Sequence, residues 1–249
     1  MGDFWAIYIL WLRDLKRFWY DKSRIIASFG QPILFLFVLG TALSPSFSGP
    51  GGINFSEFIF PGIIGMTVLF TAMFSSVSII WDREFGFLKE VLVAPISRWS
   101  IVAGKTLGGS TVAMLQGTLM LFFAPIVGAK LSFLIILESM ISMFLIALMI
   151  TTLGIVIAAR MKEMEGFHVI MNFIIMPLFF LSGALFPLDK LPSWLSILTR
   201  IDPLTYGVDL LRYVMIGVSE FPVMINISAI FGFIILFFAV AVFEFGISD

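Results

Sequence analysis

Long apolar stretches alternate with short polar connections along this chain. Six stretches hold about 20 apolar residues each, which is the length that a helix needs to cross a hydrocarbon core about 30 Å thick. A helix satisfies its own backbone hydrogen bonds, so a single helical segment can cross lipid. The pattern predicts an all-α integral membrane protein. The six predicted spans are residues 25–43, 58–81, 106–129, 131–159, 166–188 and 221–243.

The residues before the first span predict a helix that lies on the membrane rather than across it. Charged residues between positions 13 and 17 exclude a span, yet apolar residues recur at helical spacing throughout residues 1–24. Such a helix suits the headgroup layer. A frayed terminus with an aromatic anchor is the alternative. The recurring apolar residues are Phe4, Ile7, Trp11, Leu15 and Phe18.

The distribution of lysine and arginine among the connections predicts the orientation of the spans. The N-terminal segment holds five of the 15 basic residues, the connection after the second span four, and the connection after the fourth span two. Short loops rich in lysine and arginine favour the cytoplasmic side. We therefore expect a cytoplasmic N-terminus, and six spans return the C-terminus to the same side. The opposite face keeps Lys130, Lys190, Arg200 and Arg212.

Composition supports the membrane class and narrows the chemistry. The chain is 60% hydrophobic and 12% charged, whereas a soluble domain is about half apolar and roughly a quarter charged. It has no cysteine and one histidine, His168, which excludes disulfides, thiolate metal sites and a multi-histidine cage. The net charge of -1 gives no indication of a nucleic-acid partner. We predict no catalytic and no metal site.

The connection after the second span predicts an amphipathic helix in residues 82–95. Phe85, Leu88 and Leu92 fall at i, i+3 and i+7, and charged residues fill the other positions. Pro95 ends the helix, because the residue before a proline disfavours helical geometry. One face would contact the bundle or the membrane and the other a partner. An ordinary amphipathic loop is the alternative.

Two ordered blocks of sequence cover nearly the whole chain. The first contains Phe60-Pro-Gly-Ile-Ile-Gly65, residues 81–95 and Gly104-Lys105. The second contains residues 165–172, 177–187 and 202–212. Together they resemble the type-2 ABC transporter permeases, and most closely the daunorubicin-resistance and nodulation lipo-oligosaccharide exporter subfamilies.

This resemblance implies a permease of a prokaryotic cytoplasmic membrane that works with two copies of a separate ABC ATPase. It also implies a second permease, for which an identical chain is favoured and a different one remains open. ATP and Mg²⁺ would be bound by the ATPase, so this chain needs no cofactor. Short helices in residues 189–220 would dip back into the outer leaflet.

The resemblance also implies that residues 82–100 form a coupling segment, which docks on the ATPase beside the N-terminal helix. Acidic residues there can pair with basic groups on a partner, a glycine allows close helix approach, and a proline fixes the helix end. The positions assigned to coupling are Glu84, Gly86, Lys89, Glu90, Pro95 and Arg98.

Gly104-Lys105-Thr106 looks like the end of a phosphate-binding loop, but that motif requires glycine at position 99, which is Trp99. We therefore predict that nucleotide chemistry lies on another polypeptide. Gly104 and Gly108 have the four-residue spacing with which small residues allow close packing of membrane helices.

A few side chains within the spans are candidates for a substrate pathway. Phe70, Met73 and Phe74 could line an adaptable apolar route, or they could face lipid or the protein core. Asn172 could line the same cavity or form a hydrogen bond between helices. Glu138 in the fourth span is costly in lipid. Substrate or ion contact, helix packing, outward snorkelling or a shifted start of the span would each account for it. In the outer segment, Asp209 and Arg212 stand at i, i+3 and could form an ion pair.

These observations favour the transmembrane subunit of an ATP-driven exporter for a hydrophobic or amphipathic compound, such as a drug-like molecule, a lipid or a lipid-linked glycan. A sodium efflux permease of the same architecture and a stand-alone channel or structural subunit are the alternatives. An intramembrane enzyme is disfavoured, because Glu138 and His168 lie on different spans near opposite faces.

Overall fold

The computed structural model describes residues 2–44, 52–86, 96–161, 163–188 and 191–247, and the regular elements within them are helices. A 3-10 turn at Leu121–Phe123 joins α5 to α6. The helices are α1 Asp3–Tyr20, α2 Lys22–Leu43, α3 Phe55–Ser75, α4 Val77–Glu84, α5 Arg98–Met120, α6 Ala124–Val127, α7 Phe133–Arg160, α8 Met164–Leu181, α9 Ser193–Ile201, α10 Pro203–Ile216 and α11 Val223–Ile247.

Six segments within the described residues are long and apolar enough to cross a membrane, so the all-α, six-span prediction is confirmed. Helix α1 is not among them. The six segments are Ile25–Leu43, Phe55–Glu84, Arg98–Val127, Phe133–Arg160, Met164–Leu181 and Val223–Gly246.

The third span begins at Arg98, earlier than the expected residue 106. The expectation followed the apolar run, which Lys105 interrupts. In the structure Lys105 is only 4% exposed and pairs with a carboxylate, so the helix continues past it. A charge inside a helix therefore marks a buried contact here and not the end of the helix.

The fifth span ends at Leu181, although the apolar run was expected to reach residue 188. Gly183 has a φ of +71°, a conformation that favours glycine, and the chain turns there. The turn packs against Gly62 of α3, where a Cβ would collide with the backbone of Ala184. Close approach at Gly62 thus fixes the end of α8 against the centre of the bundle.

Helix α3 is the axis of the bundle. It packs against α2, α5, α7 and α10, and 83% of the most apolar stretch of its span is buried. The corresponding buried share is 17% in α2, 24% in α8 and 11% in α11. These three helices therefore present broad apolar faces to the surroundings of a single chain.

Helices α9 and α10 lie at one end of the bundle, which we call the α10 end. Asp202 caps α10, since its Oδ1 accepts a hydrogen bond from the Leu204 amide at 2.9 Å. Asp209 accepts hydrogen bonds from the amides of Glu220 at 2.8 Å and Phe221 at 3.1 Å, and from Asn226 Nδ2 at 2.8 Å. Helix α10 is thereby fastened to the start of α11.

Arg212, on the same helix, is 2% exposed. It donates a hydrogen bond to the carbonyl of Gly183 at 2.7 Å, and its guanidinium lies 4.2 Å from the centre of the Phe58 ring. Burial lowers the pKa of Arg212 to about 10, against the opposing influence of Asp209 and Glu220. Asp209 and Arg212 do not form the ion pair that their spacing allowed, because among the described residues each side chain is engaged with a different segment.

Replacement of Gly62 by alanine is expected to destabilise the protein by about 1–3 kcal/mol, because the added methyl group overpacks the contact with Ala184. Thermal unfolding of the purified protein in detergent measures the loss. Gly232→Ala in α11 is the control, since a Cβ there meets no atom within 4 Å. Equal unfolding temperatures for the two variants would contradict the close contact.

Asp202 should make stability depend on pH. Burial raises the pKa of Asp202 from 3.8 to about 8, although hydrogen bonds from Leu204 and Thr205 oppose the shift. Between these values the folded protein binds a proton that the unfolded chain has lost, so stability falls as pH rises through this window and levels off above it.

The loss is on the order of a few kcal/mol. Asp202→Asn keeps an oxygen for the helix cap but does not titrate, so thermal unfolding of the two proteins from about pH 5 to about pH 8 isolates the effect. We expect the native protein to lose stability relative to the asparagine variant. Parallel pH profiles would refute the buried, protonated carboxyl.

Candidate functional site

Four charged side chains meet at the end of the bundle opposite α10, where α1 packs on α5. We call Arg13, Asp14, Asp82 and Lys105 the ionic cluster. Asp82 Oδ2 accepts from Lys105 Nζ at 2.6 Å and from Arg13 Nη2 at 2.7 Å. Asp14 Oδ1 lies 3.8 Å from Lys105 Nζ and 3.4 Å from Arg13 Nη2. Two cations and two carboxylates from three segments thus balance each other.

Lys105 is the buried centre of this cluster. Its ammonium also donates to Ser78 Oγ at 3.0 Å, so α4 contributes both a hydroxyl and a carboxylate to it. A buried charge is tolerated only with a partner, and removing one partner typically costs about 3–5 kcal/mol. The cluster therefore fixes α1, α4 and α5 relative to one another.

Glycines bring α1 close enough to reach the cluster. A Cβ on Gly104 would lie 2.9 Å from Leu10 Cβ, and one on Gly108 would lie 2.9 Å from Asp14 Oδ2. Beside them, Trp11 Nε1 donates to Thr111 Oγ1 at 3.1 Å. The small-residue pair predicted to pack against a helix has α1 as its partner.

Helix α1 also contacts the C-terminal end of the connection between α4 and α5, immediately before α5 begins. Asp3 Oδ1 accepts a hydrogen bond from the Ser97 amide at 3.0 Å, and this bond lowers the pKa of Asp3. Since Arg13 binds Asp82 at the start of the connection, one helix holds both ends of it.

Arg83 ties the start of the connection to α7. Its guanidinium donates to the carbonyls of Met161 and, at 2.7 Å, of Ala159. Next to it, Arg160 donates to Glu244 of α11 at 2.8 Å. The basic residues of the N-terminal segment and of two separate connections therefore meet at one end of the bundle, which we call the α1 end.

The predicted coupling residues lie around these anchors where the structure describes them. Glu84 is exposed as the last residue of α4, and Arg98 is the first residue of α5. Gly86 has a φ of +79°, so the chain turns there, and among the described residues no atom lies within 4 Å of a built Cβ. Lys89, Glu90, Pro95 and the side chain of His168 lie outside the described residues.

A cavity of about 510 Å³ opens between α2, the α3–α4 span and α8 near the α1 end. Three of the predicted pathway residues, Phe70, Phe74 and Asn172, line it. The Phe70 and Phe74 rings are stacked with their centres 6.3 Å apart. Its other aromatic walls are Phe18 and Trp81, and its polar lining is Ser28, Gln31, Thr71 and Gln116.

Met73 and Glu138 do not line this cavity. Met73 is fully buried in the core beside Gly154 of α7. Glu138 is exposed on α7, on the surface of the single chain. The structure thus brings together the aromatic and amide members of the predicted pathway and separates the methionine and the carboxylate from them.

Sequence reasoning missed the ionic cluster and the polar lining of the cavity. The available signal for Lys105 was a lysine within an apolar helix whose N-terminal half is preceded in sequence by aspartates in two other segments, Asp14 and Asp82. Gln31, Thr71 and Gln116 carried no comparable signal, because isolated neutral polar residues are common in membrane helices.

Comparison with known proteins agrees with this architecture. The ABC-2 type transporter family matches residues 6–216. The ycf38 permease of Cyanophora paradoxa is 33% identical over 193 residues, covering 76% of this chain and 67% of that protein. Nodulation protein J of Rhizobium leguminosarum bv. viciae is 26% identical over 221 residues, or 88% and 85% of the two chains.

The inner membrane transport permease YadH of Escherichia coli K12 is 24% identical over 251 residues, which cover 96% of this chain and 94% of YadH. The family match over residues 6–216 includes α1, the ionic cluster, the cavity and α10. A bundle of six apolar spans with this sequence is a multi-pass transport subunit, and the chain belongs to the ABC-2 type transporter family.

Proposed function

We propose that this chain is the transmembrane subunit of an ATP-driven exporter, with its N-terminus in the cytoplasm and an ABC ATPase docked on residues 82–100. The observation that carries the proposal is the attachment of this connection at both ends. Arg13 and Lys105 bind Asp82 at its start, and Asp3 binds Ser97 at its end. A partner that moves the connection would therefore move α1, α4 and α5 with it.

The basic residues of the α1 end support the proposed orientation. Arg13, Arg83, Lys105 and Arg160 gather there, and basic residues near short connections favour the cytoplasmic side. The cytoplasmic face is also where an ATPase finds ATP and Mg²⁺, which this proposal assigns to the partner.

The cavity supports a hydrophobic or amphipathic cargo. Its described lining residues are uncharged and include four aromatic rings, and such surfaces suit apolar ligands with a few hydrogen-bonding groups. The apolar faces of α2 and α8 flank it, so a second permease packed there would enclose the pathway. A homodimer with two ATPase subunits is the assembly that we propose.

Glu84→Ala combined with Glu90→Ala should abolish association with the ATPase encoded beside this chain, because both substitutions remove carboxylates that can pair with basic groups of the partner. Co-purification from cells that express both proteins measures the association. Glu57→Ala combined with Glu220→Ala is the matched control, since it removes two carboxylates at the α10 end.

Loss of the complex in the first variant and retention in the control would support docking on residues 82–100. Reversal of Glu90 alone to lysine should leave assembled complexes in which ATP hydrolysis no longer drives transport. Failure of the native chain to associate with the ATPase would instead favour a stand-alone channel or structural subunit.

Lys105→Met should weaken the link between the ATPase and the cavity while the complex still assembles. The native chain contains no cysteine, so Asn172→Cys provides a single labelling site in the cavity wall. We expect ATP to change the rate at which a maleimide labels this cysteine, and Lys105→Met to reduce that change.

Lys105→Arg, which keeps the charge, is the control and should retain the ATP response. Because lost pairing also costs about 3–5 kcal/mol of stability, the double variant Lys105→Met, Asp82→Asn is measured as well. It leaves no unpaired charge at the Lys105–Asp82 contact, so it should recover stability without recovering the ATP response. An unchanged ATP response in Lys105→Met would argue against the idea that the ionic cluster transmits movement from the ATPase to the cavity.

A further inference from the structure

The cavity has a positively charged residue at its α1 end. Phe18 and Trp81 line both the large cavity and a smaller one of about 30 Å³ beside it, and Arg17 lines the smaller one. The guanidinium carbon of Arg17 lies 4.0 Å from the centre of the Trp81 ring. Trp81 is therefore a shared wall between the apolar cavity and a cation.

Arg17 is attracted by Asp82, Asp14 and Asp21, but it is in ion-pair contact with none of them. Asp14 and Asp82 are matched by Arg13 and Lys105, and among the described residues Arg17 forms no ion pair within 4.0 Å and no hydrogen bond from its side chain. Its side chain is accessible. Its planar group of N–H donors thus remains available, and such a group matches carboxylate and phosphate oxygens.

The wall of the large cavity also offers unused hydrogen-bonding groups. Within the described part of the chain, the side chains of Gln31, Thr71 and Asn172 have no hydrogen-bond partner. They stand among the aromatic rings of Phe70 and Phe74. A ligand that fits this surface has an apolar body with a few polar atoms and carries negative charge at the end near Arg17.

We infer that the cavity and Arg17 form a binding site for an acidic amphiphile of the membrane, with its apolar part in the cavity and its acidic head group on Arg17. The depth of the site agrees with this arrangement. Phe70 lies 11 residues before Trp81, or about 16 Å along a helix at about 1.5 Å per residue. That distance places the apolar part within one leaflet and the head group at its surface.

The inference deepens the proposed function, on which it rests for the direction of movement: the cargo enters from the cytoplasmic leaflet. Binding itself requires neither ATP nor the ATPase. It can therefore be measured on the purified permease alone.

The test compares lipids that differ in head-group charge. The full chain in detergent is titrated with dioleoyl phosphatidylglycerol or dioleoyl phosphatidylcholine, and native mass spectrometry counts the bound molecules. We expect about tenfold tighter binding of the acidic lipid, the order of effect that a charge-assisted hydrogen bond provides. Arg17→Gln should remove this preference and leave weak binding of both lipids.

Lys16→Gln is the matched control, because it removes one exposed positive charge from the same helix without touching Trp81. Asn172→Trp, which fills the cavity, should reduce binding of both lipids. Equal losses of preference in Arg17→Gln and Lys16→Gln would overturn the inference in favour of diffuse surface charge. The absence of any preference in the native chain would overturn it as well.

A final arm distinguishes a lipid site from a site for free anions. Millimolar inorganic phosphate should not displace the acidic lipid, because the apolar contacts are missing from phosphate. Displacement would assign the site to free anions and overturn the inference. Loss of ATPase association, by contrast, would overturn the proposed function and leave these binding results unchanged.

Discussion

The pairing of a buried lysine with aspartates from two other segments is the interaction on which the α1 end depends. Lys105 is 4% exposed and lies within the third span, so its charge is stable there only because Asp82 and Asp14 approach it. Those contacts require α1 to lie directly on α5, which Gly104 and Gly108 permit. The burial of one ammonium group thus ties the positions of α1, α4 and α5 to one another.

Much of the fold was predictable because the bilayer imposes it. The requirement for about 20 apolar residues per crossing identified six spans, and each of them overlaps one of the six long apolar helical segments of the structure. The differences at the ends have local causes. Lys105 looks like the end of a span in the sequence until its carboxylate partners are known. The turn at Gly183 depends on the contact between Gly62 and Ala184, and hydropathy carries no information about such a contact.

The candidate site was less predictable, since it depends on which helices become neighbours. Phe70, Phe74 and Asn172 share one cavity because α3 and α8 face each other near the α1 end. Met73 is adjacent to Phe74 in sequence, but it points into the core towards Gly154. A helical period alone cannot distinguish a cavity wall from a packed interior when both are apolar.

The two ends of the bundle bury their cations in different ways. At the α1 end, Lys105 faces carboxylates, so separating the helices would leave opposite charges unpaired on both sides. At the α10 end, Arg212 faces a backbone carbonyl and an aromatic ring, while the carboxylates of Asp209 and Glu220 favour its charged form. Moving α10 away from Gly183 and Phe58 would therefore leave Arg212 without these neutral partners, whereas parting the helices at the α1 end would break direct contacts between opposite charges.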